Sequence, residues 1–198
     1  MKPLPQVLVL DTCVLISNVL RLAFSQLAAD GCFRLAWSAV IGDEWRRNAA
    51  RIWRVPDAEV QQLWDGLQYA FPDADQGDVA AYKEGLQRSD PKDWHVIAAG
   101  RAVLAGGAAG QVAIVTRNIR DFNRSELRGL GLDLYDPDQL LVACLRDHPQ
   151  AMADLLARLP GYASTSGRPP EDPSAILKRE RLFRLNRLSL DRPVPCPQ

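Results

Sequence analysis

Along its first 147 residues the chain alternates between short apolar segments of strand character and longer amphipathic segments of helical character. The strand candidates are Val7–Leu10, 33–37, 111–115 and Leu132–Tyr135. Helical patterns occupy 14–29 and 39–53, and others begin at Asp57, at Asp90-Pro91 and at Asp136-Pro137. Repeated strand–helix–strand order favours a parallel sheet with helices on its faces. We therefore expect an α/β fold for residues 1–147.

The composition changes beyond Asp147. A helical segment at 151–159 precedes a stretch rich in Gly, Ser and Pro at 161–174, which is typical of a linker. A basic amphipathic helix is predicted at 175–188, and a Pro-rich tail follows it. We expect residues 148–198 to form a helical extension. In the basic helix, we expect Ile176, Leu177, Leu182, Phe183 and Leu185 to pack on the domain or on a second subunit.

Composition restricts the class of protein. Hydrophobic residues make up 47% of the 198 positions, which is typical of a globular chain. The 24 basic and 24 acidic residues cancel, so that any contact with nucleic acid requires a local basic patch. No signal peptide and no membrane-spanning run is recognisable. The four cysteines form no CxxC pair, and we expect reduced thiols in a cytoplasmic protein.

Four acidic residues occupy positions that such a fold could bring together. They are Asp11 after the first strand, Glu44 in the helix 39–53, Asp93 in the first turn after Pro91, and Asp121 after the strand 111–115. Each alone has an ordinary explanation, as a helix cap or as a solvated side chain. Together they would repel one another unless a cation lay between them.

The kind of ligand points to the kind of metal. Oxygen ligands without His or Cys suit the hard ions Mg²⁺ and Mn²⁺. Such an ion can lower the pKa of a bound water and stabilise charge on a phosphoryl oxygen. The predicted chemistry is therefore hydrolysis of a phosphodiester by water, without a covalent enzyme intermediate.

Four sequence motifs also resemble those of a known family. They are "VLDTCVL", "IGDEWRRN", "DPKDWHVIAAG" and "IVTRNIRDF", and in order and spacing they resemble PIN-domain proteins, especially bacterial VapC-like toxins. The resemblance implies a three-layer α/β/α sandwich with a central, mostly parallel sheet. It implies a Mg²⁺- or Mn²⁺-dependent endoribonuclease in which Asp11, Glu44, Asp93 and Asp121 are the metal ligands. Thr116 and Asn118 match polar positions beside them.

The same resemblance implies partners for the chain. It implies an RNA substrate, a homodimer and an antitoxin protein that blocks the site. Arg46, Arg47 and Arg51 lie in the helix that carries Glu44. They form either a phosphate-binding rim or an ordinary solvated helix face, and the sequence leaves both open.

Two positions depart from the family pattern. Cys13 stands where many relatives have Asn, and Asn118 stands where some have another acid. These departures leave room for a non-catalytic PIN-fold module that binds RNA or protein. A phosphatase with Asp11 as nucleophile is a further alternative, but such an enzyme normally has a second acid two residues later, at the position of Cys13.

Overall fold

The fold combines four β-strands with α-helices, as seen in a computed structural model that describes residues 3–107, 110–164 and 169–190. The strands are Val7–Leu10 (β1), Arg34–Ala36 (β2), Val112–Val115 (β3) and Leu132–Tyr135 (β4). The helices are Thr12–Leu15 (α1), Asn18–Ala29 (α2), Ala39–Trp53 (α3), Asp57–Ala70 (α4), Trp94–Ala105 (α5), Arg124–Gly129 (α6), Pro137–Asp147 (α7), Pro149–Ala163 (α8), Pro173–Arg179 (α9) and Phe183–Leu190 (α10). Short 3-10 turns lie at Ala80–Lys83, Pro91–Asp93 and Ile119–Asp121.

All four strands are parallel and lie in the order β2-β1-β3-β4. Every residue of the central strands β1 and β3 is buried, as expected for a parallel sheet that is covered on both faces. Helix α5 contacts β1, β2 and β3, and helix α2 contacts β2. The predicted α/β class and parallel sheet are confirmed, and the arrangement is compatible with a three-layer sandwich.

Helix starts follow the capping residues in the sequence. Ser38 caps α3 by accepting a hydrogen bond from the Ile41 backbone N–H. Asp90 accepts one from Lys92 N–H, and Pro91 opens a 3-10 turn that leads directly into α5. Asp93 therefore lies at the junction of turn and helix, as its spacing from Pro91 predicts.

The helix predicted at 14–29 is two helices. The first helix ends at Leu15, and Ser17 caps α2 by accepting a hydrogen bond from the Leu20 N–H. The carbonyl of Leu15 at the end of α1 accepts instead from Arg21 Nη1 at 3.2 Å and from Trp45 Nε1 at 3.0 Å. Side chains thus satisfy a carbonyl that a continuous helix would have paired internally.

The basic helix predicted at 175–188 is also two helices, α9 and α10. Arg181 between them has φ of 61°, in the left-handed region that ends a helix. Helix α8 continues through Pro160 to Ala163, into the stretch predicted as linker. The remaining linker positions 165–168 and the predicted tail at 191–198 lie outside the described residues.

The C-terminal helices pack on the rest of the molecule. Helix α8 contacts α2 and α7, α9 contacts α8, and α10 contacts α7. Their apolar side chains belong to the same buried cluster as the sheet, among them Leu155, Ile176, Leu177, Leu182 and Leu185. Phe183 is the exception to the predicted packing, because it is 60% exposed.

None of the helices in the described ranges is long and apolar enough to cross a membrane.

Candidate functional site at the carboxyl edge of the sheet

The strand order creates a switch point between β1 and β3. From β1 the chain moves to β2 on one side, and then returns past β1 to β3 and β4 on the other. In open parallel sheets, ligands bind beyond the carboxyl ends of the strands at such a point. Asp11 follows β1 there and Thr116 follows β3. The sheet topology therefore directs attention to these two residues.

Asp11 is buried and directed toward β3. It precedes α1, yet its carboxylate caps none of the helix N–H groups. Its Oδ2 instead accepts hydrogen bonds from Thr116 Oγ1 at 2.5 Å and from Cys13 Sγ at 3.0 Å. Thr116 Oγ1 in turn accepts from the Asn118 backbone N–H at 2.9 Å. A role for Asp11 as a simple helix cap is therefore excluded.

Cys13 donates a hydrogen bond to the Asp11 carboxylate. Its sulfur also accepts from the Arg117 backbone N–H at 3.2 Å. Burial and the negative charge of Asp11 raise the pKa of the Cys13 thiol to about 12. The thiol therefore stays protonated at neutral pH and acts as a donor to the carboxylate.

Asp93 and Asp121 come from two loops that are joined through their backbones. Asp90 N–H donates to the Asp121 carbonyl at 2.8 Å, and Asp93 N–H donates to the Asp90 carbonyl at 2.9 Å. Burial, followed by the negative charges of Asp11 and Asp121, raises the pKa of Asp93 to about 6. Asp93 therefore lies close enough to Asp11 and Asp121 to be affected by the charge of each.

Glu44 lies beside this group but has partners of its own. Its Oε2 accepts a hydrogen bond from Thr12 Oγ1 at 3.0 Å and lies 3.2 Å from Nε2 of the buried His95. His95 Nε2 has no other partner among the described residues. Contact with His95, and then the bond from Thr12, lower the pKa of Glu44 against the opposing effect of burial. Glu44 is therefore held as a carboxylate at the margin of the site.

The donors fit a hard divalent ion in kind, since all are carboxylate oxygens. Among residues 3–107, 110–164 and 169–190, however, no three His, Cys, Asp or Glu side chains are arranged to hold a metal ion. Metal binding would therefore require Asp11, Asp93 and Asp121 to turn toward a common point. Asn118, predicted beside them, has an exposed side chain and contributes its backbone N–H.

The three arginines of α3 differ in their surroundings. Arg46 is paired with Asp43 and lies 5.5 Å over the ring of Trp64. Arg51 Nη2 donates to Asn48 Oδ1 at 3.1 Å. Arg47 Nε donates to the Asp43 carbonyl at 3.3 Å, and the exposed side chain lies close enough to Glu44 for its charge to lower the pKa of that carboxylate. Of the three, Arg47 is best placed to meet a ligand at the acidic site.

Glu126 organises the site in a way that sequence reasoning missed. Its carboxylate accepts from the backbone N–H groups of Gln87, Arg88 and Ser89 at 2.7, 3.0 and 2.9 Å, and from Ser89 Oγ at 2.6 Å. Ser89 Oγ also accepts from Asn123 N–H at 2.9 Å. The spacing from Asn123 to Glu126 suggests only a helix start, which is the local part of this role.

Two of the cavities formed by described residues lie at opposite ends of the strands. The larger, about 780 Å³, lies at the amino ends of the strands beside Gln6, Val7 and Arg34, and Asp73 is the only acid in its described lining. The smaller, about 320 Å³, lies at the carboxyl edge beside Arg117 and Asp136. The larger cavity is therefore not lined by Asp11, Asp93 or Asp121, and the smaller cavity lies at the end of the sheet where these residues are found.

The described residues thus form an α/β fold with an all-parallel sheet, and near its switch point the charges of Asp11 and Asp121 act on Asp93. No family model matches the chain, and no curated protein and no solved structure matches it significantly. The resemblance to PIN domains therefore remains a prediction from the sequence motifs.

Proposed function

We propose that this protein is a Mg²⁺- or Mn²⁺-dependent endoribonuclease with a PIN-like α/β/α sandwich. One observation carries the proposal. Asp93 before α5 is half-buried near Asp11 after β1 and Asp121 after β3, and burial and the charges of these two raise its pKa. Repelling carboxylates at a ligand-binding edge suit a divalent cation.

Each side chain has a role in this proposal. Asp11, Asp93 and Asp121 would hold the ion, and the hydroxyl of Thr116 would fix the orientation of Asp11. When bound, the ion supplies a water of lowered pKa and neutralises charge on the phosphoryl oxygens. Glu44, held by Thr12 and His95, would orient the attacking water.

We also propose a biological role for the protein, and the motif resemblance alone supports it. It makes the protein the toxin of a type II toxin–antitoxin pair, acting in the cytoplasm as a homodimer and blocked by an antitoxin protein. A growth assay tests this part separately from the chemistry: co-expression of the product of a neighbouring small gene should restore growth.

Incubation of purified protein with labelled RNA tests the chemistry. We expect cleavage with Mn²⁺, none with chelator, and none by Asp11→Asn in either condition. Asp11→Asn should also bind Mn²⁺ more weakly by calorimetry, while circular dichroism shows a folded protein. Asp57→Asn, an exposed position in α4, is the matched control and should cleave normally. Cleavage by Asp11→Asn at the normal rate would refute the assignment.

A second candidate is a non-catalytic module that binds RNA or protein. It is favoured by the hydrogen bonds of Asp11 to Thr116 and Cys13, and by the lack of a ready ligand trio among the described residues. In that case calorimetry would detect no Mn²⁺ binding at neutral pH, and RNA would bind without being cut.

A further inference from the structure

A cleft at the carboxyl edge of the sheet adjoins the acidic site. Its volume is about 320 Å³, within the range of small-ligand sites. It lies between Arg117 after β3, the start of α7 after β4, and the turn from Glu180 to Arg184 that joins α9 to α10. Thr116 N–H donates to the Tyr135 carbonyl at 3.1 Å, so the ends of β3 and β4 lie side by side. The cleft is therefore a direct neighbour of the residue that bonds Asp11.

The acidic side chains of the cleft are all engaged with protein partners. Glu180 accepts from Arg117 and Ser17 at 2.5 and 2.7 Å, Asp138 accepts from the N–H groups of Arg184 and Leu185 at 2.9 Å each, and Asp136 accepts from Gln139 N–H at 2.8 Å. The guanidinium groups of Arg181 and Arg184, in contrast, are exposed and have no ion pair or hydrogen bond among the described residues. The three arginines and three acids of the lining balance in formal charge, and the guanidinium groups of Arg181 and Arg184 are the charged groups there without a protein partner among the described residues.

Phe183 lies between these two arginines at the start of α10. It is 60% exposed, although its neighbours Leu182 and Leu185 are 2% and 1% exposed. An apolar ring left largely in water gives up the stabilisation that burial would provide. The left-handed turn at Arg181, which is costly for a residue with a Cβ, separates α9 from α10 just before Phe183.

An exposed aromatic ring flanked by free guanidinium groups suits one class of ligand. Proteins bind single-stranded nucleic acid by stacking bases on aromatic side chains and by meeting the backbone with Arg or Lys. The neighbouring site, under the function proposed above, would act on a phosphodiester. A flanking nucleotide of the same strand would therefore lie within reach of the cleft.

We propose that the cleft between Arg117, Asp136 and the α9–α10 turn binds one nucleotide of single-stranded RNA next to the scissile phosphate. The base stacks on Phe183, and Arg181 and Arg184 meet the adjoining phosphates. This inference rests on the proposed ribonuclease function and names a contact surface for its substrate.

Fluorescence anisotropy with a labelled single-stranded oligoribonucleotide tests the cleft, using Asp11→Asn as the non-cleaving background. Adding Phe183→Ala should weaken binding about fivefold or more, the effect of losing one stacked base. Phe183→Trp should restore it. Tyr69→Ala, which removes an aromatic ring that is 90% exposed on α4, is the matched control and should leave affinity unchanged. Arg184→Gln should reduce the slope of log affinity against log salt by about 1.

The outcomes separate the cleft from the ribonuclease itself. Unchanged affinity in Phe183→Ala, together with normal cleavage by the wild type, would overturn the cleft and leave the enzyme. Phe183-dependent binding without cleavage by the wild type would support the cleft and refute the enzyme. A shift in sedimentation of Phe183→Ala with unchanged RNA affinity would assign the ring to a protein contact and overturn the cleft. RNA that is neither bound nor cut would overturn both proposals.

Discussion

The hydroxyl of Thr116 donates a 2.5 Å hydrogen bond to Oδ2 of Asp11, joining two residues that are 105 positions apart in sequence. Both side chains are buried, and each immediately follows one of the two central strands. The bond therefore crosses the switch point of the sheet. It fixes the orientation of the carboxylate on which the proposed chemistry depends.

Replacing Thr116 with Val should destabilise the protein by about 1–3 kcal/mol, because a buried carboxylate oxygen and the Asn118 N–H each lose a partner. Urea unfolding in the presence of chelator measures the change. Thr116→Ser keeps the hydroxyl and should retain most of the stability. Equal midpoints for the Val and Ser variants would show that the bond contributes nothing.

Asp93 should make stability depend on pH. Its pKa in the folded protein is raised from 3.8 to about 6, so the native state binds the proton more tightly than the unfolded chain. This stabilising contribution is present below about pH 4 and is lost as pH rises through about 6. With chelator, Asp93→Asn should therefore be more stable than wild type at pH 7.5, by about 1 kcal/mol after allowance for solvent screening.

The difference between Asp93→Asn and wild type should shrink toward zero as pH falls below 3.8, the ordinary pKa of the carboxyl, because the group is then protonated in both states. Thermal unfolding at a series of pH values measures it, with Asp57→Asn as an exposed control. Two parallel curves would contradict the raised pKa of Asp93.

Glu126→Ala should loosen the loop that precedes Asp90. The variant removes the acceptor for three backbone N–H groups and the Ser89 hydroxyl, at a cost of about 1–3 kcal/mol. Hydrogen exchange at residues 87–89 should accelerate more than elsewhere. Glu84→Ala, at an exposed nearby position, is the control. Unchanged protection at 87–89 would mean that other contacts hold the loop.

Arg47→Gln should weaken RNA binding and reduce its salt slope by about 1, because Arg47 is exposed and close to Glu44. Arg46→Gln should have a smaller effect, since Arg46 is already engaged with Asp43 and Trp64. Arg34→Gln, exposed near the amino end of β2 at the opposite edge, should have none. Anisotropy in the Asp11→Asn background measures all three, and identical salt slopes would remove α3 from the RNA surface.

Local chemistry made much of the fold predictable. Strands β1 and β4 lie at the predicted positions because a short apolar run bounded by polar residues is typical of a buried strand. Ser38 and Asp90 cap helices as predicted, because their side chains reach N–H groups only two or three residues away.

The failures concern contacts between distant segments. The apolar periodicity of 14–29 continues through a break that is stabilised by Arg21 and by Trp45 from another helix. The basic amphipathic pattern at 175–188 likewise indicates neither the turn at Arg181 nor the exposed position of Phe183. The motif resemblance selected Asp11, Asp93 and Asp121, but it could not supply their orientation. Hydrogen bonds from Thr116 and Cys13 determine that for Asp11.

The distance along the chain between Asp11 and Thr116 also affects when the acidic pocket can exist. A ribosome that has synthesised Asp11 must add 105 further residues to reach Thr116. Until then, Asp11 is an ordinary solvated carboxylate with neither Thr116 nor Asp121 near it. Under the proposed function, a nascent chain that has not yet reached Thr116 would be unable to cleave the messenger that encodes it.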